Sequence, residues 1–316
     1  MNRQVDLYNI KYIKTKNKMR KIVTYKEEVT EIKQFHLKIV NFISEKFIPS
    51  KFTKAYKKRT SIYHNAIPHM YNDIFISLDI KDFFNSINHK ILIDALFYEL
   101  NLLHKNNVSK LECAKIVSKC TISSKGLPLG LIPSPILSNV YMKEFDNILY
   151  GKLKKMGLKN IIYTRYADDM VISFKKEITV EDSVKPIITD IIINETTQLL
   201  ARYKLKLNLS KTRIIDFQNS NHVKITGVNI TKSESNFRKL SVGRKLKNKL
   251  FYLAIKCYEE HITTQYEILR VKGLESFILS IEKRGYDDIY SPNMKNKIRE
   301  LGFESLNQLI KSLHYK

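Results

Sequence analysis

The sequence predicts an α+β fold built on an antiparallel sheet, and three observations point to it. Ile74-Phe75-Ile76-Ser77-Leu78 is a short apolar, strand-like run that ends at Asp79. Ile161 to Phe174 pairs two β-branched and aromatic runs around the acidic centre Asp168-Asp169, the pattern of a hairpin with two carboxylates at its turn. Around these runs lie stretches with apolar residues at helical spacing, among them Val29–Phe47 and Ile136–Lys155. Adjacent aspartates repel one another and lose solvation in a packed sheet, so the hairpin needs a compensating charge. A divalent metal shared with Asp79 would supply it. Strand-end carboxylates facing a hairpin Asp-Asp suit two-metal phosphoryl transfer.

Composition narrows the partner. A chain of 316 residues can hold one large core or two, with a soft prior of about two domains. Its formal net charge of +24 calls for a polyanion. Nucleic acid is favoured over a membrane, because no apolar run is long enough to span a bilayer. Met1 to Lys21 is polar and basic without an apolar centre, so no secretory signal is visible and a cytoplasmic location is expected. Cys113, Cys120 and Cys257 have neither metal-ligand spacing nor an even-numbered disulfide pattern and read as buried thiols.

Tyr166-Ala167-Asp168-Asp169 resembles the signature tetrapeptide of reverse transcriptases, and Asp79 with Phe83-Phe84 resembles the palm motif that precedes it. An isolated Asp-Asp is commonly a solvated turn, but a strand ending in Asp followed by a strand–Tyr-x-Asp-Asp–strand is a far more specific order.

The remaining elements follow along the chain. Met1 to Lys26 carries eight basic residues and one acid, Asp6, and Lys18 to Tyr25 alternates as a half-exposed strand. Lys18-Met19-Arg20 resembles a basic finger strand that grips the triphosphate of the incoming nucleotide, for which an arginine fork is well shaped; a solvated basic strand is the plain alternative. Val29 to Phe47 reads as an amphipathic helix ended by Pro49. Lys51 to Arg59 interleaves five bases with Phe52 and Tyr56, which suits a nucleic-acid track or, equally, a surface loop. Asn65-Ala66-x-x-His69 is similar to a motif that marks retron reverse transcriptases, and the resemblance implies RNA contact by Asn65 and His69. A capped loop is the generic reading of those two residues, and His64 and His69 lack the partners for zinc.

In the palm, the resemblance implies that Ile80 lends a carbonyl to the metal and that Phe84 is a steric gate excluding a ribose 2′-hydroxyl. Asn88 caps a helix to about Leu100, and Val108 to Cys120 is a second helix. Lys125 to Pro135 stands where the family has a Pro-Gln-Gly loop and Ser-Pro. Leu129 replaces the glutamine, while Gly130 still allows close approach to nucleotide and template. Past Val184 to Tyr203, a helix, Leu205 to Thr212 resembles the next motif. It offers Lys211 as an electrostatic or acid partner of the leaving pyrophosphate, or as a plain turn lysine. Ile225-Thr226-Gly227 is similar to a retron Val-Thr-Gly motif at the RNA or primer. From Lys232 to Lys256 there are eight basic residues against Glu234. Gly243 to His261 has helical spacing with Arg244, Lys245 and Lys249 outward, as a tracker of RNA backbone or as a solvated face. Ile268 to Ile281 resembles the retron thumb, and a helix over about Phe303 to His314 closes the chain.

The resemblance implies a right-hand polymerase fold: fingers over 1–70, an antiparallel-sheet palm over 71–230 and a helical thumb over 231–316. It implies RNA-directed DNA synthesis with two Mg²⁺ ions held by Asp79, Asp168 and Asp169, the last acting directly or through its neighbours. The implied partners are deoxynucleoside triphosphates, a cognate structured non-coding RNA with its RNA–DNA hybrid product, and a separate effector protein in anti-phage defence. The rivals are another defence-associated or intron-like reverse transcriptase, a nucleic-acid-binding scaffold with a decayed site, and a nucleotide cyclase, for which the basic thumb has no purpose.

Overall fold

The computed structural model describes residues 7–15, 18–27, 30–102, 108–176, 184–286 and 289–315. Arg3, Asp6 and Lys16 of the basic N-terminal run lie outside them. Strands β1 (Tyr8–Thr15) and β2 (Lys18–Tyr25) precede helix α1 (Thr30–Lys46). A short α2 (Ile62–Ala66) leads through a 3-10 turn to β3 (Ile74–Asp79), α3 (Phe83–Ser86), α4 (His89–Asn101), α5 (Lys110–Lys119) and α6 (Ser134–Lys155). The hairpin strands β4 (Ile162–Tyr166) and β5 (Asp169–Phe174) come next, then α7 (Val184–Arg202) and β6 (Arg213–Asp216). Strands β7 (His222–Ile225), β8 (Val228–Lys232) and β9 (Arg238–Ser241) are followed by α8 (Arg244–Glu259), α9 (Gln265–Ile281), α10 (Pro292–Glu300) and α11 (Leu306–Ser312).

The chain forms two compact units, one of Met1–Ser61 with Asn72–Asp216 and one of Ile62–Tyr71 with Phe217–Lys316. Segment 62–71, of which residues 62–70 were expected with the fingers and 71 with the palm, groups with the C-terminal unit. In the first unit a four-stranded antiparallel sheet runs in the order β4-β5-β3-β6. Strand β3 is central and almost wholly buried, which is why it reads as a continuous apolar run. Helix α6 packs Leu137, Val140, Tyr141, Phe145, Leu149 and Leu153 into the same core, at the spacing of one helical face.

Local signals set the helix starts. The Asn88 side chain accepts from the Ile91 amide at 3.1 Å, and Ser109 with Glu112 forms a capping box ahead of α5. Ser134-Pro135 opens α6, where a proline costs no hydrogen bond.

Among the elements that differ from the sequence reading are one strand pair and one helix. Tyr8–Thr15 pairs with β2 residue for residue as a hairpin, where the sequence suggested only a basic run. Pro292–Glu300 is a helix for which no expectation existed, capped by Ser291. The second unit holds a separate β7-β8-β9 sheet and a helical core that includes Leu250, Phe251, Ile268, Ile278, Leu306 and Leu309. The three cysteines are free and buried.

Candidate active site

The register of the central sheet brings the acidic residues together. Asp79 ends β3 directly opposite Asp169, the first residue of β5, and Asp168 sits in the two-residue turn between β4 and β5. Ile80 continues past the end of β3, and its amide donates to the Asp168 carbonyl at 3.0 Å, which ties the turn to the strand end. Ala167, the other turn residue, takes a φ of 58°, an uncommon conformation for a residue with a Cβ.

That turn is held from below. Arg165 donates from Nε and Nη2 to the two oxygens of Asp146 at 2.8 and 2.9 Å, and from Nη1 to the Ala167 carbonyl at 3.1 Å. The Tyr163 hydroxyl donates to the same Asp146 at 2.8 Å. Both charged side chains are fully buried, so the pair satisfies itself and fixes the backbone beside Asp168. Neither Arg165 nor Asp146 was expected from the sequence. They lie on different elements, and no local spacing links them.

On the open side the charges are differently arranged. Lys211, in a 3-10 turn after Asn208, donates to Asp79 Oδ1 at 2.8 Å, and Asn208 Nδ2 donates to Oδ2 at 2.9 Å. This hydrogen bond to Asp79 holds the Lys211 pKa above its usual value. Burial pushes the Asp168 carboxyl up, the Asp79 charge adds to that, and Lys211 and Arg20 pull it back. Asp169 is pushed up to about 6, first by burial and then by the Asp168 and Asp79 charges. Arg20 is exposed on β2 and close enough for its charge to reach Asp168, while Lys18 opens that strand.

Among the described residues, no three His, Cys, Asp or Glu side chains are grouped so as to hold a metal as they stand. The donor chemistry nonetheless fits a hard divalent cation. Three carboxylates share one neighbourhood, and the two in the hairpin are held up by burial and by acidic neighbours, a penalty that a cation would reverse. What opposes entry is Lys211, already seated on Asp79.

Residues 12–230 match the family Reverse transcriptase (RNA-dependent DNA polymerase). The chain belongs to that family. It is 27% identical over 286 residues to the retron Ec86 reverse transcriptase of Escherichia coli, a match that covers 88% of this chain and 78% of that protein. It is 31% identical over 147 residues to the retron Ec73 reverse transcriptase of Escherichia coli, covering 46% of each. Apo telomerase from Candida tropicalis, truncated from its C-terminal domain, aligns with a TM-score of 0.49 at 13% identity, over 71% of this chain and 53% of that one. The protein is a retron-type reverse transcriptase, an RNA-directed DNA polymerase.

The other expected residues of this reverse transcriptase fall in several settings. Phe84, in the first turn of α3, is 9% exposed and stands edge-on to Phe83 and to Tyr56. Gly130 has a φ of 104°, and a Cβ there would lie 2.3 Å from the Val23 carbonyl oxygen. The close approach expected at this glycine is therefore to β2, whose Val23 amide donates to the Leu129 carbonyl at 2.8 Å. Leu129 contributes its backbone to that docking and its side chain to the edge of the core.

In the second unit, the Asn65 and His69 side chains are fully buried, so the direct RNA contact expected of them is corrected to an internal one. Asn65 Nδ2 donates to the Thr226 hydroxyl at 2.8 Å. Thr226 and Gly227 form the two-residue turn of the β7–β8 hairpin, both with positive φ, and Asn65 braces the threonine in a conformation that β-branched residues rarely take. Gly227 remains exposed. Arg244, Lys245 and Lys249 are exposed on α8, with Tyr252 and Lys256 continuing the same stripe. Lys247, in the middle of that basic run, is instead buried and paired with Glu282 at 2.8 Å.

Proposed function

We propose that this retron-type reverse transcriptase copies a cognate structured non-coding RNA. It starts from a 2′-hydroxyl within that RNA and leaves single-stranded DNA joined to it, in an anti-phage system with a separate effector protein. The observation that carries the catalytic part is the convergence of Asp79, Asp168 and Asp169 at one strand end and one turn, with the cations of Lys211 and Arg20 beside them. The retron relatives support the retron setting. In this reading fingers, palm and thumb divide the chain at about residues 70 and 230, and the enzyme works in the cytoplasm. Among the described residues no helix is long and apolar enough to cross a membrane.

Two Mg²⁺ ions, when bound, activate the primer hydroxyl and neutralise the triphosphate. Asp79 and Asp168, with the Ile80 carbonyl, are the residues that would hold them, and Asp169 sets the charge of the cluster or joins it. The primer oxygen attacks the α-phosphorus, the bond to the bridging oxygen breaks, and pyrophosphate leaves. Lys211 releases Asp79 and offers its ammonium to the departing pyrophosphate. Arg20 and Lys18 grip the triphosphate, and the Gly130 loop holds their strand in place. Phe84 excludes the ribose 2′-hydroxyl. Arg244, Lys245 and Lys249 follow the duplex backbone, and the Thr226-Gly227 turn, braced by Asn65, meets the folded RNA.

The test is to express the gene with its flanking DNA as wild type and as Asp168→Ala, then compare extracted nucleic acid with and without RNase. A short DNA present only in the wild type, whose mobility shifts on RNase treatment, is the expected result, with phage plating efficiency falling only in that strain. Absence of the DNA from both strains overturns the retron reading for that locus. Primer extension on an RNA template then separates a different reverse transcriptase, the alternative that Leu129 favours, from an inert scaffold.

A further inference from the structure

Tyr56 lies in the Lys51–Arg59 run, which the sequence left balanced between a nucleic-acid track and a plain surface loop. Its surroundings are not those of a loose loop. The Arg165 amide donates to the Phe52 carbonyl at 3.0 Å, and the Lys54 amide donates back to the Arg165 carbonyl at 2.8 Å. Thr53 Oγ1 donates to Asn139 Oδ1 at 3.0 Å, and Asn139 Nδ2 donates to the Ala55 carbonyl at 3.0 Å. The segment is thus laced onto β4 and α6, one residue from the Tyr166–Asp169 turn.

At the end of this lacing Tyr56 takes a φ of 56°. A large aromatic residue in the left-handed region is strained, and such strain persists only where the surroundings impose it. The lacing aims the ring edge-on at Phe84, with centroids 6.3 Å apart and planes at 78°. The phenol lies near enough to Asp168 to feel its charge. Phe84 is almost closed off at 9% exposed, whereas Tyr56 remains 50% exposed. A ring placed only to cover Phe84 has no need of a strained backbone or a half-open face.

We propose that Tyr56 contacts the sugar of the incoming deoxynucleoside triphosphate, forming with Phe84 the two aromatic walls that select deoxyribose. Phe84 is the fixed wall, set in the α3 turn. Tyr56 is the accessible one, with an apolar face for the sugar and a hydroxyl that can donate to its oxygens. The inference rests on the polymerase reading above, since it needs Asp168 and Phe84 at the reaction centre.

Three variants test it. Tyr56→Gly removes the ring and suits the positive φ, Tyr56→Asn does the same with a side chain that tolerates it, and Tyr56→Phe keeps the ring. Single-nucleotide extension on an RNA template, with thermal melting to show that each variant is folded, gives KM and kcat for a deoxynucleotide and its ribonucleotide counterpart. In the Gly and Asn variants KM for the deoxynucleotide should rise about tenfold and discrimination should narrow by about the same factor, with kcat changing less. Tyr56→Phe should keep the discrimination. Wild-type KM and discrimination in either folded variant overturns the proposal, and so does a loss confined to kcat. Asp168→Ala run alongside separates the two claims. If it still extends primers, the placing of the reaction centre at Asp168 fails, whereas an inactive Asp168→Ala beside a wild-type-like Tyr56→Gly removes only the role of Tyr56.

Discussion

Arg165 meets Asp146 with both side chains fully buried, while Lys211 meets Asp79 with its own side chain 62% exposed and the aspartate's 11%. The two pairs have the same 2.8 Å separation. Burial makes them different devices. The first is bidentate, has a tyrosine and a backbone carbonyl to satisfy the remaining groups, and cannot be rearranged without leaving a charge in the core. The second is a single ammonium on a flexible stem that solvent can receive at little cost. A fixed pair sets the geometry of the hairpin, and a releasable pair keeps its carboxylate for another cation.

The largest effect should come from breaking the fixed pair. Arg165→Met leaves Asp146 ionised in the core and frees the Ala167 carbonyl, at an expected cost of about 3–5 kcal/mol. Thermal melting should register this as a fall of roughly 10 °C or more. The double variant Arg165→Met/Asp146→Leu should recover much of that stability, because it removes the stranded charge. Polymerase activity should not return with it if the arginine matters through the Ala167 turn. Full recovery of both stability and activity would show that the pair is only a core filler.

The hairpin itself was legible because its signals are local. Apolar runs of β-branched and aromatic residues set β4 and β5, and the acidic centre between them marks the turn. Asn88 announced α4 through the same side-chain bond that the structure contains. Arg165 was hidden for the opposite reason. In the sequence it is one polar residue in a strand, and its meaning depends on Asp146, 19 positions earlier on a helix. Lys247 resembles its basic neighbours until the fold supplies Glu282, and Gly130 resembles a ligand-loop glycine until Val23 is seen against it. Burial and distant partners, rather than residue type, separated these cases.

An intermediate effect is expected at Asp169, whose carboxyl is pushed up to about 6 by burial and by its acidic neighbours. In the unfolded chain the same group titrates near ~3.9. Below that value both states carry the proton and nothing is lost. As pH rises from about 4 to about 6 the unfolded chain ionises first, so the metal-free protein loses stability across that window. Asp169→Asn should flatten this dependence in melts done with chelator and gain about 1 kcal/mol at neutral pH, while polymerase activity falls. Added Mg²⁺ should restore the parent's stability more than the variant's. An unchanged pH profile in Asp169→Asn would place the repulsion elsewhere.

The smallest effect on stability belongs to the releasable pair. Lys211→Met should change the melting midpoint in chelator by less than about 1 kcal/mol in equivalent stability, since an exposed ammonium gains little from its partner. Its effects on function should be larger and of opposite sign in two assays. With Asp79 Oδ1 no longer held at 2.8 Å by the lysine, Mg²⁺ alone should raise the midpoint of the variant more than that of the parent. The kcat for nucleotide addition should fall, because the ammonium available to the leaving pyrophosphate is gone. A variant that neither gains Mg²⁺ response nor loses kcat would make Lys211 a simple brace for Asp79, and the two ion pairs would then differ in burial without differing in purpose.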